Sequence, residues 1–171
     1  MNRRDILSLS AITTLGLALL PGSALAQQKT LKEQLVGSWT LVSNDNVAPD
    51  GTKRQIFGPN PKGLIILGAD GNYAQVLVNP ARPKFKGKTR LDGTAEENKA
   101  VVAGTAATFG TWATDEASKT LILRNAGNLF PNDEGTESRR PVTVMTGDEL
   151  KMMNPNPGSG GRSESVYRRA K

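Results

Sequence analysis

The chain of 171 residues contains no histidine and no cysteine, so its chemistry falls to tyrosine, arginine, lysine and the carboxylates. Ser–His and Cys–His nucleophilic pairs are excluded, as are the usual zinc and copper ligands. Any general acid or base must be Asp, Glu, Lys or Tyr. A metal would have to be a hard ion held by oxygens, and no Asp-rich loop has calcium spacing, so neither a metal nor a cofactor is expected. Near the C-terminus Ser165, Tyr167 and Arg169 alternate, which places them on one face of a strand. If that face is interior, Tyr167 and Arg169 can contact a ligand; if Val166 is interior instead, they are solvated. Tyr73, Gln75 and Leu77 likewise share a face opposite Ala74, Val76 and Val78. The all-apolar face reads as the packed interior, while Tyr73 and Gln75 read equally as the few oriented polar groups of a pocket. In Arg139-Arg140 one side chain faces in and one out. An inward arginine needs a partner, and Arg140 is the candidate ligand contact.

Phosphate-binding loops are absent: there is no G-x-x-x-x-G-K-[ST], and no G-x-G-x-x-G lies between a strand and a helix. The glycine cluster Gly158-Ser159-Gly160-Gly161 reads as a hairpin loop. No spacing singles out a catalytic carboxylate pair, and Glu96-Glu97 suits the positive end of a helix.

These residues must be positioned by strands. The pattern predicts one short helical turn over 30–35, then strands near 36–43, 53–57, 63–68, 72–78, 109–114, 120–125, 138–146, 149–154 and 163–169. Asp70-Gly71 between two apolar runs predicts a hairpin whose two turn residues both tolerate positive φ. The segment 79–90 carries two prolines and five positive charges and cannot be a central strand. Thr94-Ala95-Glu96-Glu97 is a capping box. It opens the one mid-chain helix, running to about Ala107, with Val101, Val102 and Ala106 available for an apolar stripe. Nine strands with mostly short turns predict an all-β domain, an up-and-down barrel or a sandwich.

Residues 1–26 read as a removable export signal. Arg3-Arg4 forms a basic start, Ile6 to Leu20 an apolar stretch, and Ala24-Leu25-Ala26 a cleavage site. The Arg3-Arg4 pair is similar to a twin-arginine signal; an ordinary secretory signal is the alternative. Cleavage leaves residues 27–171 as one domain, large enough to fold without a disulfide and placed in the periplasm or outside the cell. Removing two arginines and one aspartate changes the net charge from +6 to +5. That favours anionic ligands or surfaces. Nucleic acid is not an expected partner, since the basic residues lack interleaved aromatics. No stable membrane span remains after cleavage, and a monomer or weak dimer is expected.

The first strand of the exported part carries Gly37-Ser38-Trp39. The string Val36 to Ser43, then Asp50-Gly51, then Phe57-Gly58-Pro59-Asn60-Pro61-Lys62-Gly63, resembles the lipocalin-like domain family of bacteria and fungi. So do Ala69-Asp70-Gly71, Asn79-Pro80-Ala81-Arg82-Pro83, Gly93-Thr94, Phe109-Gly110-Thr111 and Leu129-Phe130-Pro131-Asn132, across roughly residues 33–170. The resemblance implies a single lipocalin-like (calycin) antiparallel β-barrel of about 8–10 strands. It also implies barrel closure by Gly37 and Trp39, with the Trp39 ring packed under Arg168 or Arg169. An inward Tyr167–Arg169 pair would bind a carboxylate, as an Arg/Tyr pair does in fatty-acid-binding relatives of the barrel. Many members carry histidine on the strand before the Leu-Phe-Pro-Asn loop; here that stretch is Leu121-Ile122-Leu123-Arg124-Asn125. Arg124 is then expected as a fixed cation that shifts preference toward anions.

The expected function is binding of a small apolar or amphiphilic molecule with an acidic head. The ligand-contact set is Tyr73, Gln75, Arg124, Arg140, Tyr167 and Arg169. The alternatives are a cofactor-free cyclase or isomerase acting by positioning, and a filled barrel serving as a protein-interaction module.

Overall fold

The computed structural model describes residues 29–171; the export signal expected over 1–26 lies outside them. A short helix, α1 (Leu31–Leu35), precedes strands β1 (Gly37–Val47), β2 (Lys53–Arg54), β3 (Lys62–Leu67) and β4 (Asn72–Val78). Helix α2 (Ala95–Ala103) follows, then β5 (Thr105–Asp115), β6 (Thr120–Asn128), a 3-10 turn at Pro131–Asp133, β7 (Glu137–Met145), β8 (Glu149–Asn154) and β9 (Arg162–Arg169). All pairings are antiparallel. The sheet runs β2-β1-β3-β4-β5-β6-β7-β8-β9 and closes through β1–β9. Eight strands therefore form a closed up-and-down barrel, and β2 is a small extra strand hung on the far end of β1. Closure removes exposed sheet edges from the eight.

The barrel end that contains the start of β1 is plugged. Thr30 caps α1 in a capping box with Glu33. The Glu116 carboxylate on the β5–β6 turn accepts from the backbone N–H groups of Leu31 (2.7 Å) and Lys32 (3.0 Å). Burial raises the Glu116 pKa, but these hydrogen bonds and one from Thr114 outweigh it and hold the carboxyl below its usual range. Leu31 and Leu35 are buried against Trp39, Leu67, Leu123 and Leu150 in the core. Trp39 is fully buried and donates its Nε1–H to the Leu35 carbonyl at 2.8 Å. The Arg169 guanidinium lies 4.1 Å from the Trp39 ring centroid. It also donates to the carbonyls of Gly147 (2.6 Å), Val36 (3.1 Å) and Gln34 (2.7 Å). Gly37 sits beneath it with φ +126°, and a Cβ there would come within 3.1 Å of Arg169 Nη1. Only glycine meets both demands comfortably.

Several expectations are corrected. The mid-chain helix ends at Ala103 with Gly104 as its cap, not near Ala107, because Thr105–Thr108 are drawn into pairing with Val78–Gln75. Helix α1, by contrast, lies where the short helical turn is expected, at 30–35. The apolar stripe expected on α2 does not form: Val102 is 59% exposed, and Glu97 is the residue buried there. In the β3–β4 hairpin, Gly68 N–H bonds to the Asn72 carbonyl and Gly71 N–H to that of Gly68. Gly71 has positive φ and Asp70 does not, so the loop holds three residues and a single left-handed glycine. On β4 the interior face is Tyr73, Gln75 and Leu77, not the all-apolar one. Val76 instead faces outward beside Leu64 of β3 and Ala107 of β5.

Arg169 joins α1, β1, β9 and the β7–β8 turn in one contact. Replacing it with Met should cost about 2–4 kcal/mol, from the lost cation–π stacking and three carbonyls left without their donor. Arg169→Lys should recover less than half of that, because an ammonium lacks the planar fork. Urea denaturation of the three proteins checks this, and equal stability of Arg169→Lys and the native protein would refute it.

Candidate functional site

The opposite end of the barrel is open and leads to a cavity of about 440 Å³, within the usual size range of small-molecule sites. Its apolar wall includes Leu77, Met152, Ala106, Ile56 and Phe57. Its polar patch includes Asn44, Gln75, Arg140, Ser163 and Ser165. Val102 and Ala103 from the end of α2, and Leu129 and Phe130 from the loop after β6, form part of the mouth.

Arg140 is the cation of this cavity. It lies on β7, one residue after the outward Arg139, which pairs with Asp115 at 3.0 Å and Glu137 at 3.3 Å. Strand alternation turns Arg140 inward. Its Nη1 donates to Gln75 Oε1 (2.9 Å) and its Nε to Ser138 Oγ (3.3 Å). No carboxylate among the described residues lies within 4.0 Å of it. Asp133 also lines the cavity and acts on Arg140 only at longer range. Burial lowers the Arg140 pKa, while Tyr167, Tyr73 and Asp133 pull the other way, and guanidinium remains charged.

Gln75 is locked between two neighbours. Its Oε1 accepts from Arg140, so its amide nitrogen must face Tyr167 Oη, to which it donates at 2.7 Å. Tyr167 is fully buried behind Gln75 and does not line the cavity. Asn44 and Ser165 make a second polar pair beside them at 2.8 Å.

The six expected ligand contacts therefore separate. Gln75 and Arg140 lie together on the cavity wall, with Tyr167 supporting them from behind. Tyr73 is buried elsewhere: its hydroxyl donates to Asn125 Oδ1 (2.5 Å) and lies 2.9 Å from Thr108 Oγ1. Arg124 is exposed and pairs with Glu137 at 3.2 Å, because Leu123 and Asn125 take the inward parity on β6. It cannot serve as a cation inside the barrel. Arg169 is at the plugged end, stacked on Trp39, away from the cavity. Asn44 was not anticipated. A bulge between Leu41 and Ser43 shifts the β1–β9 register, so Trp39 and Leu41 point in, and beyond the bulge Asn44 and Asn46 do. Plain alternation from Trp39 would have chosen Ser43 and Asp45.

Among the described residues no cluster of three or more His, Cys, Asp or Glu could hold a metal, and no helix is long and apolar enough to cross a membrane.

Comparison with known proteins gives a match between residues 36–170 and the family described as the lipocalin-like domain. A solved lipocalin-like protein from Bacteroides uniformis is similar over 80% of this chain and 99% of that one, with 13% identity and a TM-score of 0.44. No curated protein matches the chain.

Both tyrosines of the chain are buried, and burial pushes both phenols above their ordinary pKa. An unfolded tyrosine ionises near pH 10. The neutral phenols therefore contribute stability that is fully present below that pH and is lost as pH rises through their raised folded values. Phenolate absorbance of the native protein should lag behind that of the urea-unfolded chain and emerge together with loss of the fold. Superimposable native and unfolded titrations would contradict this placement.

Proposed function

The chain belongs to the lipocalin-like domain family, and from that premise we propose that it is an exported protein binding a small amphiphile, apolar in its body and anionic at its head. The observation that carries this reading is Arg140: an inward guanidinium on the wall of a largely apolar cavity, without a carboxylate partner among the described residues. Gln75 and Ser138 fix its Nη1 and Nε edges, and neither bond uses Nη2. A carboxylate placed there would gain a charge-assisted hydrogen bond in a site partly shielded from water. Asn44 and Ser165 stand nearby as neutral groups able to orient the same head. Leu77, Met152 and Phe57 would cover the apolar body, at roughly 25 cal/mol per Å² of apolar surface removed from water. A cavity of about 440 Å³ supports this reading over a barrel filled by its own side chains.

The test compares a medium-chain fatty acid with the alcohol of equal length, by calorimetry on the native protein and on Arg140→Met. The native protein should prefer the acid by about ten- to a hundredfold, the value of one charge-assisted contact. Arg140→Met should keep its affinity for the alcohol and lose the preference. Equal affinity of the native protein for acid and alcohol would overturn the role of Arg140. Native mass spectrometry of the protein purified from its host would identify the ligand class directly.

A further inference from the structure

The segment between β4 and α2 is unpaired by any strand and carries Arg82, Lys84, Lys86, Lys88 and Arg90. It is not a loose tether. Arg82 donates through Nη1 to Thr105 Oγ1 at the start of β5 and through Nε to the Asn79 carbonyl at 3.0 Å. The Lys86 backbone N–H donates to Glu97 Oε1 of α2 at 3.1 Å. Asp92 accepts from the Thr89 N–H at 3.0 Å, which closes the turn around Leu91. The segment is thus fastened to α2, whose last residues form part of the cavity mouth.

What it presents outward is mixed in character. Lys84, Lys86, Lys88 and Arg90 are exposed, and none is within 4.0 Å of a carboxylate among the described residues. Between Arg90 and Asp92, Leu91 is 87% exposed, the largest exposure among the large apolar side chains of the described residues. Val102, Leu129 and Phe130 at the mouth are exposed as well. The nearby acids, Asp92, Glu96 and Glu97, offset three of the segment's five positive charges and leave an excess of two. Glu97 is buried and bonded to the Thr94 and Lys86 N–H groups, Asp92 is held by Thr89, and Glu96 remains. Unpaired cations flanking the protruding Leu91, on a segment tied to α2 and to the start of β5 through Glu97 and Arg82, match an anionic bilayer: the cations meet lipid head groups and the apolar tip enters the interface.

We propose that the mouth end of the barrel docks onto an anionic membrane surface through Lys84, Lys86, Lys88, Arg90 and Leu91, with the cavity opening toward the lipid. The partner is a lipid surface and not another polyanion, because a purely electrostatic partner gives no use to Leu91 or to the apolar rim. The proposal stands apart from the identity of the cavity's ligand: it would hold even if Arg140 bound nothing.

The test is cosedimentation of residues 27–171, which contain the whole closed barrel and its core, with two kinds of vesicle. One is phosphatidylcholine alone; the other is phosphatidylcholine mixed with phosphatidylglycerol. Binding should require phosphatidylglycerol and weaken as salt shortens the screening length. The combined variant Lys84→Gln, Lys86→Gln, Lys88→Gln, Arg90→Gln should lower partitioning about a thousandfold. Leu91→Ser should lower it several-fold while leaving retention on a polyanionic resin unchanged. All five positions are exposed, so circular dichroism should show the fold intact. Equal binding to both vesicles, or an unaffected quadruple variant, would overturn the proposal. Loss of resin and vesicle binding only through the cations, with Leu91→Ser indistinguishable from native, would instead assign the surface to soluble polyanions. Arg140→Met should bind vesicles like the native protein, so failure of the ligand reading and failure of the docking surface are separable.

Discussion

The barrel depends on one guanidinium. An up-and-down sheet closes only if its first and last strands meet in register, and here that seam is β1 against β9. Trp39 and Arg169 are direct partners across it. The indole supplies a flat apolar surface, and the guanidinium supplies a flat cation whose edge donors reach three separate carbonyls. Those carbonyls belong to α1, the residue joining α1 to β1, and the β7–β8 turn. Each would otherwise leave a backbone acceptor short of a donor near the core. A planar, always-charged group with fixed donor directions can meet all of these together; a flexible ammonium cannot. Gly37 follows from the same contact, because Arg169 occupies the space a side chain would need.

Sealing one end sets the character of the other. With α1 packed under Trp39, apolar side chains such as Leu67, Leu123 and Leu150 fill the plugged half. Toward the mouth the interior changes to Asn44, Gln75, Ser165 and Arg140 among smaller apolar groups, and the cavity begins there. Polar side chains inside a barrel are costly unless they find partners. Here they do: no buried side-chain nitrogen or oxygen among the described residues lacks a hydrogen bond. Tyr73, Thr108 and Asn125 satisfy one another, as do Tyr167, Gln75 and Arg140. These interlocked groups give the cavity wall a defined shape and not an adaptable lining.

The architecture was legible because its signals are local. Turn residues and alternating runs located nine strands, Thr94 and Glu97 announced α2, and Gly37-Ser38-Trp39 marked the seam. The site was legible only in part. Gln75 and Arg140 could be suspected from alternation, but β4 has two plausible interior faces. Hydrophobicity alone favoured the wrong one, since Val76 contributes to an apolar outer wall with Leu64. Asn44 was hidden by the bulge at Leu41 and Ser43, which breaks the period of two on which any such reading relies. Arg124 and Arg169 show a different limit. Both are arginines on barrel strands, but one is turned outward by parity and the other is consumed by closure. Chain position alone does not show which arginine keeps an unspent charge.

That unspent charge rests on the choice of an amide at position 75. A carboxylate there would pair with Arg140, neutralise the cavity and leave it suited to a neutral ligand. Gln75 supports the guanidinium with a carbonyl oxygen and passes its own donor to Tyr167, whose phenol burial keeps protonated. The chain Tyr167–Gln75–Arg140 therefore orients the cation without cancelling it. Holding a partly buried charge in this way costs stability that a closed pair would not. Arg140 lines the cavity, and neither of its hydrogen bonds within the protein uses Nη2. A carboxylate or similar anion arriving there would complete the network that the protein's own side chains leave short by one negative charge.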